Sequence, residues 1–141
     1  MNIKQLSVFL ENKSGRLNEI LDILGKAEIR IIAASVADTS EYGILRLITS
    51  DTSTAYSLLK ENHISAHLSD VIAISCNPLA GTFANQLKCF SQENISIEYM
   101  YCFSFKDRAF LILRTDNNSK AGEIALKYHL NSVSEDELIR L

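Results

Sequence analysis

Residues 14–31 read SGRLNEILDILGKAEIRI, and residues 80–97 read AGTFANQLKCFSQENISI. Each stretch has a glycine, then an amphipathic run, then an isoleucine-x-isoleucine pair. Gly15 falls on Gly81, Leu21 on Leu87, Ile29 on Ile95 and Ile31 on Ile97, always 66 residues apart. The same shift carries Leu45, Leu47 and Thr49 onto Leu111, Leu113 and Thr115. It also carries Ser53, Ala55 and His63 onto Ser119, Ala121 and His129. Self-similarity at a fixed period sets the architecture before any single residue is read. The chain is one unit written twice, with domains expected at 1–70 and 71–141. Two such units account for nearly all 141 residues, so no separate catalytic domain is expected.

Working outward from the glycines, each unit reads strand, helix, strand, strand, helix, strand. Leu6, Val8 and Leu10 alternate onto one face of a first strand, matched by Ile72, Ile74 and Cys76. The first helix carries Leu17, Ile20, Leu21 and Leu24 at helical spacing, and its counterpart carries Phe83, Leu87 and Phe90. Gly25 is the expected stop of the first copy. Second strands are expected from Ile29 to Ala37 and from Ile95 to Phe103, and third strands over Ile44–Thr49 and Phe110–Thr115. The clusters Asp51-Thr52-Ser53 and Asn117-Asn118-Ser119 have the side chains that cap a helix N-terminus. Weak final strands follow near Ile64–Leu68 and Leu130–Ser134, with Ser69-Asp70 as an almost absent linker.

A βαββαβ order is the split-βαβ, ferredoxin-like plan of the α+β class. Two tandem copies are expected side by side, each an antiparallel sheet with helices on one face. The outward side of strand three is read as Ile44, Arg46 and Ile48, and as Phe110, Ile112 and Arg114. Strand two is expected to add Ile32, Ala34 and Val36 to that side, or Met100 and Cys102. Such a face is too apolar for free solvent. It is expected to pack on another sheet, most simply that of a second chain. A unit of about 60 residues buries only about 60% of the surface its unfolded chain exposes, which also favours association.

Composition removes several function classes. Hydrophobic residues are 47% of the chain and charged residues 22%, with a net charge of −3. That balance and the lack of a basic cluster disfavour nucleic acid. The face lacks the aromatic and basic set of an RNA-recognition module. No apolar run approaches the ~20 residues of a membrane span. The three cysteines, Cys76, Cys89 and Cys102, match no zinc or redox spacing. With no secretory signal in the sequence, they are expected as reduced thiols in the cytoplasm. No phosphate-binding glycine loop is present, and no cysteine has a recurring histidine partner. No metal and no cofactor are expected. His63 and His129 are repeat partners in a helix's last turn, where the dipole favours them.

The strand-to-helix turns are the candidate sites: Glu11-Asn12-Lys13-Ser14-Gly15-Arg16-Leu17 and Asn77-Pro78-Leu79-Ala80-Gly81-Thr82-Phe83. Free N–H groups at a helix start suit a carboxylate, and glycine lets a group approach the backbone closely. The same glycines equally serve a tight turn. Asn12 and Asn77 offer donors and acceptors to a ligand, or serve an Asx turn. Ser14 and Thr82 offer a hydroxyl, or cap the helix. Arg16 suits a carboxylate, or lies on a solvated face. Tyr99, Met100 and Tyr101 stand where the first copy has Ala33, Ala34 and Ser35. Bulk facing small residues forms a wall and a cavity, or is ordinary packing.

Gly15-Arg16-Leu17 with Ile29-Arg30-Ile31, and Gly81-Thr82-Phe83 with Ile95-Ser96-Ile97, resemble the turn-helix-strand pattern of the ACT domain. The whole chain is similar to small stand-alone tandem ACT proteins of bacteria. The resemblance implies a non-enzymatic sensor that binds an amino acid or similar small carboxylate between neighbouring copies. It implies a homodimer and a target enzyme or regulator acting in trans. The carboxylate would meet N–H groups near Ser14-Gly15 or Ala80-Gly81. The ligand's side chain would lie against Leu17 or Phe83 and the neighbouring second strand, residues Ala33, Ser35, Tyr99, Met100 and Tyr101. Those second strands would pair with each other and merge the sheets. The family's usual acidic residue is Asn12 here and Pro78 in the second copy, beside Asn77; its usual proline is Ser14 or Ala80. Two unequal sites, or one, are therefore expected. The alternative is an oligomerisation module whose ligand site has degenerated.

Overall fold

The computed structural model describes residues 2–11, 14–38 and 42–141. The chain divides into two compact units: an N-terminal unit, Lys4–Ser69, and a C-terminal unit, Asp70–Leu141, to which Ile3 is also assigned. The elements run β1 (Ile3–Glu11), α1 (Arg16–Lys26), β2 (Ile31–Asp38), β3 (Tyr42–Thr49), α2 (Thr52–Glu61) and β4 (Ala66–Cys76). They continue with α3 (Thr82–Gln92), β5 (Ile97–Phe105), β6 (Arg108–Thr115), α4 (Asn118–Lys127), β7 (Asn131–Ser132) and α5 (Glu135–Ile139). Each unit repeats the βαββα order, antiparallel throughout, as the ferredoxin-like plan requires. Ser69-Asp70, read as a linker, instead lies inside the continuous strand β4. The acidic run Glu135-Asp136-Glu137 opens α5, where Ser134 and Glu137 form a reciprocal capping box.

In the N-terminal unit β3 lies between β1 and β2. The N–H of Phe9 donates to the carbonyl of Ser65 at 3.1 Å, which holds the last segment of the unit beside β1. In the C-terminal unit β6 lies between β4 and β5, and β7 pairs with β4 on its other side. The cores follow the alternation expected from sequence. Leu6, Val8 and Leu10 pack with Leu45, Leu47, Ile20, Leu24, Ala55 and Leu59. Ile72, Ile74 and Cys76 pack with Leu111, Leu113, Phe90, Ala121 and Ile124. The second helices are capped as predicted. The Asp51 carboxylate accepts from the N–H of Thr54 at 3.2 Å, and the Asn117 side chain from that of Lys120 at 3.1 Å.

Strand two departs from expectation, for the same reason in both units. β2 opposes Ile31 to Thr49 but Ala33 to Ile48, leaving Ile32 as an extra residue. β5 opposes Ile97 to Thr115 but Tyr99 to Arg114, leaving Glu98 extra. A one-residue bulge moves every later side chain to the other face. Ala34 and Val36 therefore oppose Leu47 and Leu45, on the helix side. Met100 and Cys102 likewise oppose Leu113 and Leu111. The outward rows are Ala33, Ser35 and Ala37 in β2 and Tyr99, Tyr101 and Phe103 in β5. The outward reading of Ile44, Arg46 and Ile48 holds, since Phe9 and Ser7 oppose Ile44 and Arg46 across β1. Ile48, Phe110 and Ile112 on that side are nonetheless buried within a single chain. These three do not need a second chain to cover them.

The expected pairing of the two second strands is corrected as well. Among the described residues β2 pairs with β3 alone and β5 with β6 alone. Helix ends differ too. Gly25 sits inside the last turn of α1, and the left-handed position is taken by Glu28 (φ 59°). His63 and His129 are not in a last helical turn but just beyond it, at φ 59° and 54°. The next N–H after each donates back to the helix, Ile64 to Leu59 at 2.9 Å and Leu130 to Ala125 at 2.8 Å. This is the Schellman ending, usually built with glycine.

Candidate functional site

Both turns are shaped by a left-handed glycine. Gly15 and Gly81 have φ of 85° and stand at the N-caps of α1 and α3. That φ is what demands glycine. A Cβ built on either would meet nothing within 4 Å among the described residues, so none of these crowds the Cα. The turn and ligand readings are thus compatible: conformation fixes the residue, and the space beside it stays open. A glycine cap has no side chain to satisfy the first helical N–H groups, which leaves them to another acceptor.

At the N-terminal turn a recess of about 300 Å³ is lined by Glu11, Ser14, Gly15, Arg16 and Glu19. Arg16 Nη1 donates to Glu19 Oε2 at 3.0 Å. This i,i+3 pair fixes the guanidinium over the first turn of α1. Arg16 Nε is buried and has no acceptor among the described residues. A second, broader recess of about 430 Å³ shares Gly15 and Glu19 and runs along α1 by Asn18, Asp22, Ile23 and Lys26 to Asn62. Asn12 lies outside the described residues. Leu17 packs against the edge of the core.

The C-terminal turn is built from different chemistry. The Thr82 hydroxyl donates to the Asn77 side-chain oxygen at 3.0 Å. The Thr82 N–H donates to the carbonyl of Leu79 at 3.1 Å. Two of the groups expected to meet a ligand are thereby tied to the turn itself. Leu79 is 67% exposed at its tip; Ala80 and Gly81 are exposed beside it. Phe83 packs against the core's edge, as Leu17 does. The charged residues Glu11, Arg16 and Glu19 become Asn77, Thr82 and Asn85 under the 66-residue shift. Glu11 entered the sequence reading only as the start of the turn, and Glu19, which lines the same recess, did not enter it. The signal available was Glu19's place one turn after Gly15 and three residues from Arg16.

The second-strand residues do not gather as expected. Tyr99 and Tyr101 are half-buried on the outward side of β5, and Met100 points to the opposite face, 38% exposed. Ala33 is buried and Ser35 half-buried on the outward side of β2. Phe103 belongs with Tyr99 and Tyr101, and its ring stacks on Phe110 at 5.0 Å. Arg108 lies over the other ring of that pair, 5.0 Å from the Phe110 centroid, and hydrogen-bonds Ser75. Burial pushes the Cys76 thiol up from its ordinary value, with Cys102 adding to the rise. A thiol held protonated this way is a poor nucleophile.

A model of the ACT domain pair matches residues 1–141, the whole chain. The crystal structure of protein BT0572 from Bacteroides thetaiotaomicron is similar at 40% identity, with a TM-score of 0.96. That likeness covers 100% of this chain and 98% of the other. The regulatory subunit of aspartate kinase from Thermus thermophilus, in ligand-free form, shares the fold at 11% identity and a TM-score of 0.62. It covers 88% of this chain and 90% of that one. The corresponding subunit from Thermus flavus is similar at 16% identity and a TM-score of 0.63, covering 90% of each chain. No curated protein matches the sequence.

Proposed function

Because the chain belongs to the ACT domain pair family, we propose that it is a non-enzymatic regulatory protein that binds an amino acid or similar small carboxylate. The stronger site is the N-terminal turn. The observation that carries this is the recess of Glu11, Ser14, Gly15, Arg16 and Glu19, which brings both charge signs to an uncapped helix start. A zwitterion needs both. Its carboxylate takes the N–H groups at Ser14–Gly15, with Arg16 Nε as the remaining buried donor. Its ammonium lies toward Glu11. The lining is polar, which favours a ligand with a small or polar side chain. The C-terminal turn, with Asn77 and Thr82 bonded to each other and no charge at positions 77, 82 and 85, binds weakly or not at all.

Such a sensor acts on a separate partner, an enzyme or regulator in trans. Coupling requires that the ligand favour one of two states and that the partner distinguish them. The chain works as a homodimer, through the outer edges of β2 and β5. An edge strand without a neighbour is a template for another chain, and β5 has a single charged residue, Glu98, among its nine. We place the protein in the cytoplasm, where its thiols stay reduced. A second reading, an assembly module with a degenerate site, is favoured by that same edge, poor in charge.

Thermal-shift measurements with each of the twenty amino acids separate the two. A ligand at ~100 times its Kd stabilises by about 2.7 kcal/mol. The sensor reading expects a clear rise in Tm with one amino acid or one chemical group of them. No rise with any would remove it in favour of the assembly reading.

A further inference from the structure

We draw no further inference here: the strongest candidate, the Gln86 side chain on α3, whose Oε1 is buried without a partner at the position where the repeat places the core residue Ile20, has nothing among the described residues beside it to show what it would bind.

Discussion

The two strand-to-helix turns share a backbone and differ in chemistry. Gly15 and Gly81 have the same φ of 85°, and both stand at the N-cap of an 11-residue helix. Around the first lie Glu11, Arg16 and Glu19; around the second lie Asn77, Thr82 and Asn85. What the fold requires has been kept twice. The charged side chains stand around the first turn alone. Backbone geometry at a site therefore says little about whether the site is used, and the side chains over it say more.

The helices behind the turns differ at one core position. Ile20 is fully buried, and its counterpart Gln86 holds a buried oxygen with no partner among the described residues. Ile20→Gln should cost about 3 kcal/mol or more, since it removes a core side chain and buries an amide. Gln86→Ile should act in the opposite sense, raising stability by about 1 kcal/mol. Urea unfolding of both variants checks the pair. A stabilising Ile20→Gln, or a Gln86→Ile as damaging as its mirror image, would show that the units do not pack alike at this position.

Helix caps give the next effect. Asn117→Ala should cost about 1 kcal/mol by removing the acceptor for the Lys120 N–H. Its repeat partner Asp51 does the same task with a titratable group. Hydrogen bonding by Thr54, through its side chain first and its backbone N–H second, holds the Asp51 carboxyl below its ordinary 3.8. A depressed carboxyl stabilises the fold above its unfolded pKa and loses that contribution as pH falls through the folded value. Stability of the wild type should therefore fall more steeply than that of Asp51→Asn as pH drops below 3.8. Parallel acid titrations would contradict the cap's role.

The smallest effect lies at the left-handed helix ends. Glu28 and Asn94 are repeat partners, both at φ 59°. Glycine relieves strain there, and asparagine tolerates the conformation better than glutamate. Glu28→Gly should raise stability by several tenths of a kcal/mol, and Asn94→Gly by less. Differential scanning calorimetry resolves the order, and the reverse order would be wrong for this geometry.

Much of this was legible in the sequence. The 66-residue shift carried the order of elements and the core set from Leu6 to Leu113. The caps at Asp51 and Asn117 were readable because a short polar side chain before an apolar-periodic run has few other uses. The bulges at Ile32 and Glu98 were not. Each follows an isoleucine in an unbroken strand pattern, and no glycine marks the extra residue. One unseen residue in each reversed the faces of both second strands, turning Met100 to the helix side and Tyr99 and Tyr101 outward. The left-handed ends were hidden similarly, because Glu28, His63 and His129 stand where glycine would have announced the turn. At the site, the glycine drew attention to the backbone, and the charges that distinguish the two turns were spread over positions 11, 16 and 19, on a strand end and a helix.

We propose that an amino acid binds at the N-terminal turn through Arg16. Titration calorimetry with the amino acid that raises Tm, on the wild type, Arg16→Ala and Thr82→Ala, tests it most directly. One strong site per chain, at least tenfold weaker binding in Arg16→Ala, and unchanged strong binding in Thr82→Ala are expected. Unchanged affinity in Arg16→Ala, or loss in Thr82→Ala alone, would place the site elsewhere and contradict it.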